Sequence, residues 1–165
     1  MIAADFRPRA LLAHMVAHGT DFVVIGGIAA VLHGSERNTF DLDICPAQDR
    51  ANLDVLGKAL IEIDARLRGI EEDVPFVPDG RSLSGIEITT DTTLGPLDIL
   101  ARPGGSPPYR SLRNRAIRLD VGPAGVLVAS IDDLIAMKQS AGRSKDHDDV
   151  ERLQAIARLK RRLER

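Results

Sequence analysis

The chain has 165 residues, a length that suits one domain with a proper core and is too short for two of ordinary size. Hydrophobic residues make up 44% and charged residues 28%, which is ordinary globular usage and excludes extended disorder. The formal net charge of -2 excludes a global basic field of the kind that drives nonspecific nucleic-acid binding.

The sequence also indicates the compartment. It contains no run of about 18 or more apolar residues, so we expect no membrane span. No apolar signal core follows a basic start at the N-terminus, and we therefore expect a cytoplasmic protein. The single cysteine, Cys45, rules out an internal disulfide and a cysteine-rich zinc site, in agreement with a reducing cytosol.

The first part of the chain predicts alternating helices and strands. Apolar side chains at helical spacing indicate helices, while short β-branched or alternating runs indicate strands. Gly26-Gly27 closes the first strand, and Pro46 ends the second. The predicted elements are a helix over 7–18, a buried strand over 21–25, a short helix over 28–33, a strand over 40–45 and an amphipathic helix over 49–67.

The second part predicts a hairpin, further strands and two closing helices. Ser130 and Asp133 form a potential capping box, and Gly142 is a helix stop. The predicted elements are a loop with a little strand over 71–84, strands over 86–90 and 96–101 joined by a turn at 91–95, a loop over 102–108, weak strands near 116–121 and 126–128, a helix from 130 to 142 and a helix from about 144 to 163.

This order of elements predicts a mixed α/β (α+β) fold, a small mixed sheet flanked by helices. We expect one domain over 1–165, with a core at about 20–101 and C-terminal strands and helices at about 109–165.

Acidic residues interrupt two of the predicted strands. Alternate side chains on a strand share a face, so Asp41 and Asp43 project together, about 6 to 7 Å apart at the backbone. Carboxylates held side by side repel each other unless a hard divalent cation lies between them. Asp98 is the best candidate for a third carboxylate. Such a set of carboxylates suits Mg²⁺ or Mn²⁺ in two-metal phosphoryl transfer. The alternative is that the Asp-x-Asp pattern is only the polar face of an edge strand, which is common.

The turn that precedes the acidic strand strengthens the functional interpretation. Gly26 and Gly27 follow a buried strand and open a short helix, where absent side chains let backbone N–H groups approach a phosphate. Any tight turn can use such a pair, so the turn supports a phosphate site only together with the acids.

These residues carry a family resemblance. Val24-Ile25-Gly26-Gly27, followed by Asp41-Leu42-Asp43-Ile44, resembles the signature of the polymerase β-type nucleotidyltransferases. The fuller string from Gly26 to Ile44 is most similar to the AbiEii-type toxins, including the MenT-like toxins, of toxin-antitoxin systems. The likeness spans about residues 20–46, returns at Asp98 and returns again over 128–153. Gly27 stands where many superfamily members have serine.

The resemblance implies a polymerase β-type core with C-terminal helices and a specific activity. The enzyme would transfer a nucleoside monophosphate from an NTP to the 3′ end of tRNA with Mg²⁺ or Mn²⁺, and so block translation. Its implied partners are the NTP, the tRNA acceptor end and a cognate antitoxin protein. Four arginines in mid-chain would grip the acceptor stem, unless they are ordinary surface charges: Arg110, Arg113, Arg115 and Arg118.

Side chains outside the acidic strand are also implicated. Lys138 falls on the buried stripe of its helix and resembles the family's phosphate-binding lysine; otherwise its charged end reaches the helix rim. Arg37 and Arg143 would add phosphate contacts, unless Arg37 is a plain surface arginine. Thr39 shares the face of Asp41 and is assigned to nucleotide binding. An acid on the last helix, Asp149 or the neighbouring Asp146, would orient these cations or help activate the acceptor; both acids also suit a helix N-terminus electrostatically.

Other functions stay open. A small antitoxin-like nucleotidyltransferase would nucleotidylate a partner protein, and an inactive relative would serve as a binding module. A nucleotidyltransferase that modifies a small-molecule antibiotic is a further choice. Joint retention of Asp41, Asp43 and Asp98 argues against the inactive module, because buried carboxylates are costly without a cation.

Overall fold

The computed structural model describes residues 5–71 and 74–165, and within these ranges the chain forms a seven-stranded mixed sheet flanked by six helices. The helices are α1 (Pro8–Ala17), α2 (Gly26–Leu32), α3 (Arg50–Glu62), α4 (Tyr109–Arg115), α5 (Ile131–Ala141) and α6 (Ser144–Leu163). The strands are β1 (Phe22–Ile25), β2 (Leu42–Pro46), β3 (Arg66–Leu67), β4 (Glu87–Thr92), β5 (Gly95–Leu100), β6 (Ile117–Val121) and β7 (Ala124–Val128). The predicted mixed α/β fold is therefore confirmed.

The strand order β3-β4-β5-β2-β1-β7-β6 places β1 and β2 side by side at the middle of the sheet. Strand β1 is antiparallel to β2 and parallel to β7, and β2 is parallel to β5. Ile25, the last residue of β1, lies opposite Asp43, and Asp43 lies opposite Asp98. The glycine turn after β1 and the acidic residues of β2 and β5 thus meet where β1 ends, at one end of these central strands.

The core lies between this sheet and the helices. All four residues of β1 are buried, which explains why its sequence is a continuous apolar run. Leu11 of α1 and Leu53 and Leu60 of α3 are fully buried, as is Ile44 of β2. Each such side chain stabilises the fold by roughly 1.5–3 kcal/mol relative to an exposed one.

Helix α3 is shorter than the prediction. It starts as expected, since the Asp49 side chain accepts the Asn52 N–H at 2.9 Å. It ends at Glu62 rather than at 67, because Asp64 adopts the left-handed conformation with φ 51°. Leu67 belongs instead to β3, where it pairs with Thr90.

The β2 strand begins later than predicted. It starts at Leu42, and Phe40 lies outside it with 74% of its surface exposed. Pairing with β5 starts at Leu42 opposite Leu97, so the residues before Leu42 have no ladder partner. Helix α2, in contrast, begins earlier than predicted, at Gly26.

Helix α4 was not predicted. It is only two turns long and depends on tertiary contacts: Leu112 is fully buried, and the Tyr109 hydroxyl donates to Asp21 at 2.9 Å. The little strand predicted over 71–84 is absent from the described part of that segment, which is irregular up to residue 79 and forms turns over 80–85. Glu72 and Asp73 lie outside the described residues.

The remaining predicted elements are confirmed with small changes. The predicted hairpin appears as β4–β5, and the two weak strands form β6 and β7, which pair with each other. The Ser130 hydroxyl accepts the Asp133 N–H at 3.1 Å, but the Asp133 carboxylate binds Arg115 and does not complete the capping box. Helix α6 has the predicted span, and Leu163 at its C-terminal end is 80% exposed.

Across the described ranges, no helix combines the length and the apolar character that crossing a membrane requires.

Candidate active site

Three carboxylates meet beside the end of β1, at one end of the central strands of the sheet. Asp41, Asp43 and Asp98 each offer an oxygen, and these oxygens lie within 4.8 Å of one another. Asp43 and Asp98 are direct partners in the β2–β5 ladder, and Asp41 immediately precedes β2. The structure thus brings together the three acids that the sequence singled out.

The electrostatics of this triad favour a cation. Burial, followed by the negative charges of Asp41 and Asp98, raises the pKa of Asp43 to about 7. Burial and the charge of Asp41 raise the pKa of Asp98 to about 6. Asp98 Oδ1 is buried without a hydrogen-bond partner among the described residues, and Arg68 Nη2 lies 3.8 Å away from it. Oxygen donors with this much excess charge fit a hard divalent cation such as Mg²⁺ or Mn²⁺.

The two glycines make room for side chains of the site. Gly26 has φ 69°, and a Cβ at this position would lie 2.1 Å from Asp43 Oδ2. A Cβ on Gly27 would lie 2.8 Å from Thr39 Oγ1. The absent side chains therefore let Asp43 and Thr39 approach the backbone of α2, a role that the sequence interpretation did not include.

Behind the triad, three cations and two acids form an ion network, which we call the rear network. Lys138 is buried and donates to Asp149 Oδ2 at 2.8 Å, with Asp146 Oδ1 at 3.7 Å. The Arg37 guanidinium also donates to Asp149 Oδ2. Arg143 Nε donates to Asp146 Oδ2 at 2.9 Å. Asp149 is thus shared by two cations, and Asp146 is bound by Arg143 beside Lys138.

A cleft of about 490 Å³ joins the triad to the rear network. The predicted site residues that line it are Gly26, Gly27, Arg37, Thr39, Asp41, Asp43, Asp98, Lys138, Arg143 and Asp146. Asp149 does not line the cleft but lies behind Arg37 and Lys138, which do. Asp149 is therefore placed to hold these two cations rather than to touch a molecule in the cleft.

Sequence interpretation missed part of the cleft wall. Glu87 and Thr89 of β4 line it, because Thr89 is the ladder partner of Asp98. The hairpin itself was predicted, but placing these residues in the cleft also required its register, in which Thr89 pairs with Asp98. Lys145, at the start of α6, also lines the cleft.

The mid-chain arginines do not belong to the cleft. Arg113 pairs with Asp21 at 3.1 Å, and Arg115 pairs with the buried Asp133. Arg110 and Arg118 do not line the cleft either. Arg113 and Arg115 thus hold α4 to neighbouring segments. That the four arginines grip an acceptor stem stays a prediction.

Comparison with known proteins identifies the class of fold. No family model matches the chain, and a search of curated proteins finds no similar sequence. Among solved structures, the lincosamide antibiotic adenylyltransferase LnuA, bound to lincomycin, is 15% identical, with a TM-score of 0.62 over 92% of this chain and 99% of LnuA.

Two further structures agree. An antigenic nucleotidyltransferase-like protein from Paracoccidioides brasiliensis is 17% identical, with a TM-score of 0.54 over 92% of this chain and 73% of that protein. ANT(2″)-Ia in complex with adenylyl-2″-tobramycin is 15% identical, with a TM-score of 0.53 over 93% of this chain and 94% of that enzyme. The chain therefore has the nucleotidyltransferase fold.

Proposed function

We propose that this protein is a metal-dependent nucleotidyltransferase that takes its nucleotide from an NTP. The observation that carries the proposal is the convergence of Asp41, Asp43 and Asp98 on one cleft, beside a glycine turn and a buried lysine. The nucleotidyltransferase fold supports the same activity.

The triad would hold Mg²⁺ or Mn²⁺ through its oxygens. The bound ions would lower the pKa of the attacking hydroxyl and neutralise charge on the departing pyrophosphate. Asp43 and Asp98 are fixed to each other by the β2–β5 ladder, so their spacing is set before any ligand arrives. This preorganisation favours transfer because the acids need little rearrangement.

The rear network would receive the triphosphate. Lys138 and Arg37 reach the cleft while Asp149 holds both, and Arg143 is held by Asp146. We therefore assign Asp149 to the positioning of these cations. In the reaction, the acceptor oxygen bonds to the α-phosphorus, the bond from that phosphorus to the bridging oxygen breaks, and pyrophosphate leaves. The hydroxyl proton passes to solvent.

For the acceptor, we propose the 3′-terminal hydroxyl of tRNA in the cytoplasm, which would make the protein a toxin that blocks translation and has a cognate antitoxin. The support is the sequence likeness to the AbiEii-type and MenT-like toxins over residues 20–46. Of the mid-chain arginines, Arg110 and Arg118 are the ones we assign to RNA, because Arg113 and Arg115 are held in ion pairs.

A small hydroxyl-bearing antibiotic is the second candidate acceptor. The observation that favours it is the structural alignment with LnuA, a lincosamide adenylyltransferase. The alignment covers 99% of LnuA and 92% of this chain, so neither chain has a large segment that the other lacks. Nucleotidylation of a partner protein stays a third outcome of the same experiment.

The experiment supplies each α-³²P-labelled NTP with Mg²⁺ or Mn²⁺ and, in separate reactions, total tRNA, a lincosamide and aminoglycoside panel, and a cell lysate. Label on tRNA supports the toxin, label on a drug supports the second candidate, and label on a protein supports the third. Loss of labelling in Asp41→Asn/Asp43→Asn ties the activity to the triad. No labelling of any acceptor, or undiminished labelling by that variant, contradicts nucleotidyl transfer at this site.

A further inference from the structure

A second group of ligand-type side chains lies outside the cleft, on α1 and α3. His14 lies on α1, and His18, four residues later, caps the C-terminal end of this helix; their ring centroids are 4.7 Å apart. Glu62, the last residue of α3, faces them, and one ligand atom from each of the three lies within 4.8 Å of the others. None of the three lines the cleft.

The hydrogen bond of His14 leaves one ring nitrogen available. Its Nε2 lies 2.8 Å from the carbonyl oxygen of Ala59. A carbonyl can only accept, so Nε2 carries the proton and the neutral ring has its lone pair on Nδ1. Histidine ligands of metals commonly donate their other N–H to a backbone carbonyl in this way, which fixes the ring.

His18 and Glu62 complete the donor set. His18 Nε2 lies 2.8 Å from Glu62 Oε2, and the two side chains are 22% and 60% exposed. The group is therefore open to ions from solvent. Metal–ligand bonds of about 2.0–2.2 Å hold two ligand atoms up to about 4 Å apart, so a small side-chain rotation would suffice. Each imidazole makes one hydrogen bond to α3, so both rings are already held beside Glu62.

We propose that His14, His18 and Glu62 form a site for a transition-metal ion of the zinc type, distinct from the Asp triad. Imidazole nitrogen suits Zn²⁺, Ni²⁺ and Cu²⁺, while carboxylates alone suit Mg²⁺ and Mn²⁺. The two sites thus differ in the class of ion they prefer. Three protein ligands leave one tetrahedral position to solvent. A bound ion would tie α1 to the C-terminal end of α3.

Zn²⁺ is the probe, and the protein carries no histidine tag. Because Zn²⁺ also binds carboxylates, the background is the full chain with Asp41→Asn, Asp43→Asn and Asp98→Asn, which neutralise the triad. Titration against a chromophoric chelator gives the stoichiometry and affinity, and we expect one Zn²⁺ per chain. We also expect Zn²⁺ to raise the melting temperature of this background protein.

His18→Ala and Glu62→Gln are the test variants, and His147→Ala is the matched control, since His147 is an exposed histidine of α6. Loss of a supporting hydrogen bond weakens metal sites by about 10- to 100-fold, and loss of a ligand should weaken binding by at least as much. His14→Ala also removes the contact with Ala59, so circular dichroism must show that it folds. Co²⁺ replaces Zn²⁺ as a spectroscopic probe of nitrogen ligation.

The proposal is overturned if the triad-neutralised protein binds no Zn²⁺, or if His18→Ala binds it as tightly as the His147→Ala control does. Neither result concerns nucleotidyl transfer, which is measured on the intact triad.

Discussion

The carboxylate of Asp43 fills the space that a side chain on Gly26 would occupy: a Cβ on Gly26 would lie 2.1 Å from Asp43 Oδ2. The glycine turn and the acidic strand are therefore one unit. The two motifs are separated along the sequence but are in direct contact in the structure.

We predict that Gly26→Ala loses most nucleotidyl transfer, because the new methyl group displaces Asp43 from the triad. The left-handed backbone adds a strain of about 1 kcal/mol. Gly85→Ala is the matched control, since Gly85 has φ 68° and open space around its Cβ position. Activity is measured with labelled NTP and stability by urea unfolding. Equal activity in the two variants would contradict the contact.

Gly27 and Thr39 should be energetically coupled. A Cβ on Gly27 would lie 2.8 Å from Thr39 Oγ1, so Gly27→Ser should lower stability and activity. Thr39→Ala removes the hydroxyl, and we expect Gly27→Ser to be better tolerated in that background. A double-mutant cycle of unfolding free energies measures the coupling. If the effects of the two single substitutions simply add in the double variant, the residues are not coupled.

The stability of the metal-free protein should depend on pH through Asp43. Its pKa is raised from 3.8 to about 7, so the folded state holds this proton more tightly than the unfolded state does. The stabilisation from the bound proton is complete below about pH 4 and is lost as the pH rises to about 7.

In EDTA, Asp43→Asn should therefore be more stable than wild type at pH 8, by about 1–3 kcal/mol, and the difference should disappear at pH 4. Melting curves across this range test the sign, and Asp120→Asn, at an exposed aspartate of β6, is the control. Mg²⁺ should stabilise wild type more at pH 8 than at pH 5. A wild type that gains stability over Asp43→Asn as the pH rises would contradict the predicted sign.

Lys138→Met should impair both folding and nucleotide binding. It removes the cation between Asp146 and Asp149, although Arg143 and Arg37 still bind these acids. We expect a loss of about 1–3 kcal/mol in unfolding free energy, below the 3–5 kcal/mol typical of a broken buried pair because partners remain.

The same variant should raise the dissociation constant for NTP by about tenfold or more, as one lost charge-assisted contact of about 1.5–3 kcal/mol implies. Adding Asp149→Asn should recover part of the stability but none of the affinity. Lys58→Met, at an exposed lysine of α3, is the control for loss of a surface charge. Wild-type NTP affinity in Lys138→Met would remove this lysine from the proposed site.

Much of this arrangement follows from local sequence. The buried run of β1, the alternation around Asp43 and the apolar stripe that contains Lys138 are periodic signals, and periodicity also indicates which face is buried. These signals identified the triad and the buried lysine before any contact was known.

The parts that sequence did not reveal depend on long-range contacts. Helix α4 is held by the Tyr109 contact with Asp21, 88 residues away in sequence. The end of α3 depends on one left-handed residue, Asp64, rather than on glycine or proline. The ion pair between Arg115 and Asp133 likewise joins α4 to α5, and charge clustering along the sequence does not reveal this pairing.

The direct pairing of Asp43 with Asp98 across neighbouring parallel strands has an evolutionary consequence. A single-residue insertion or deletion between Gly95 and Asp98 would turn Asp98 toward the opposite face of the sheet and break the triad. Length variation among homologues should therefore be purged from this short stretch.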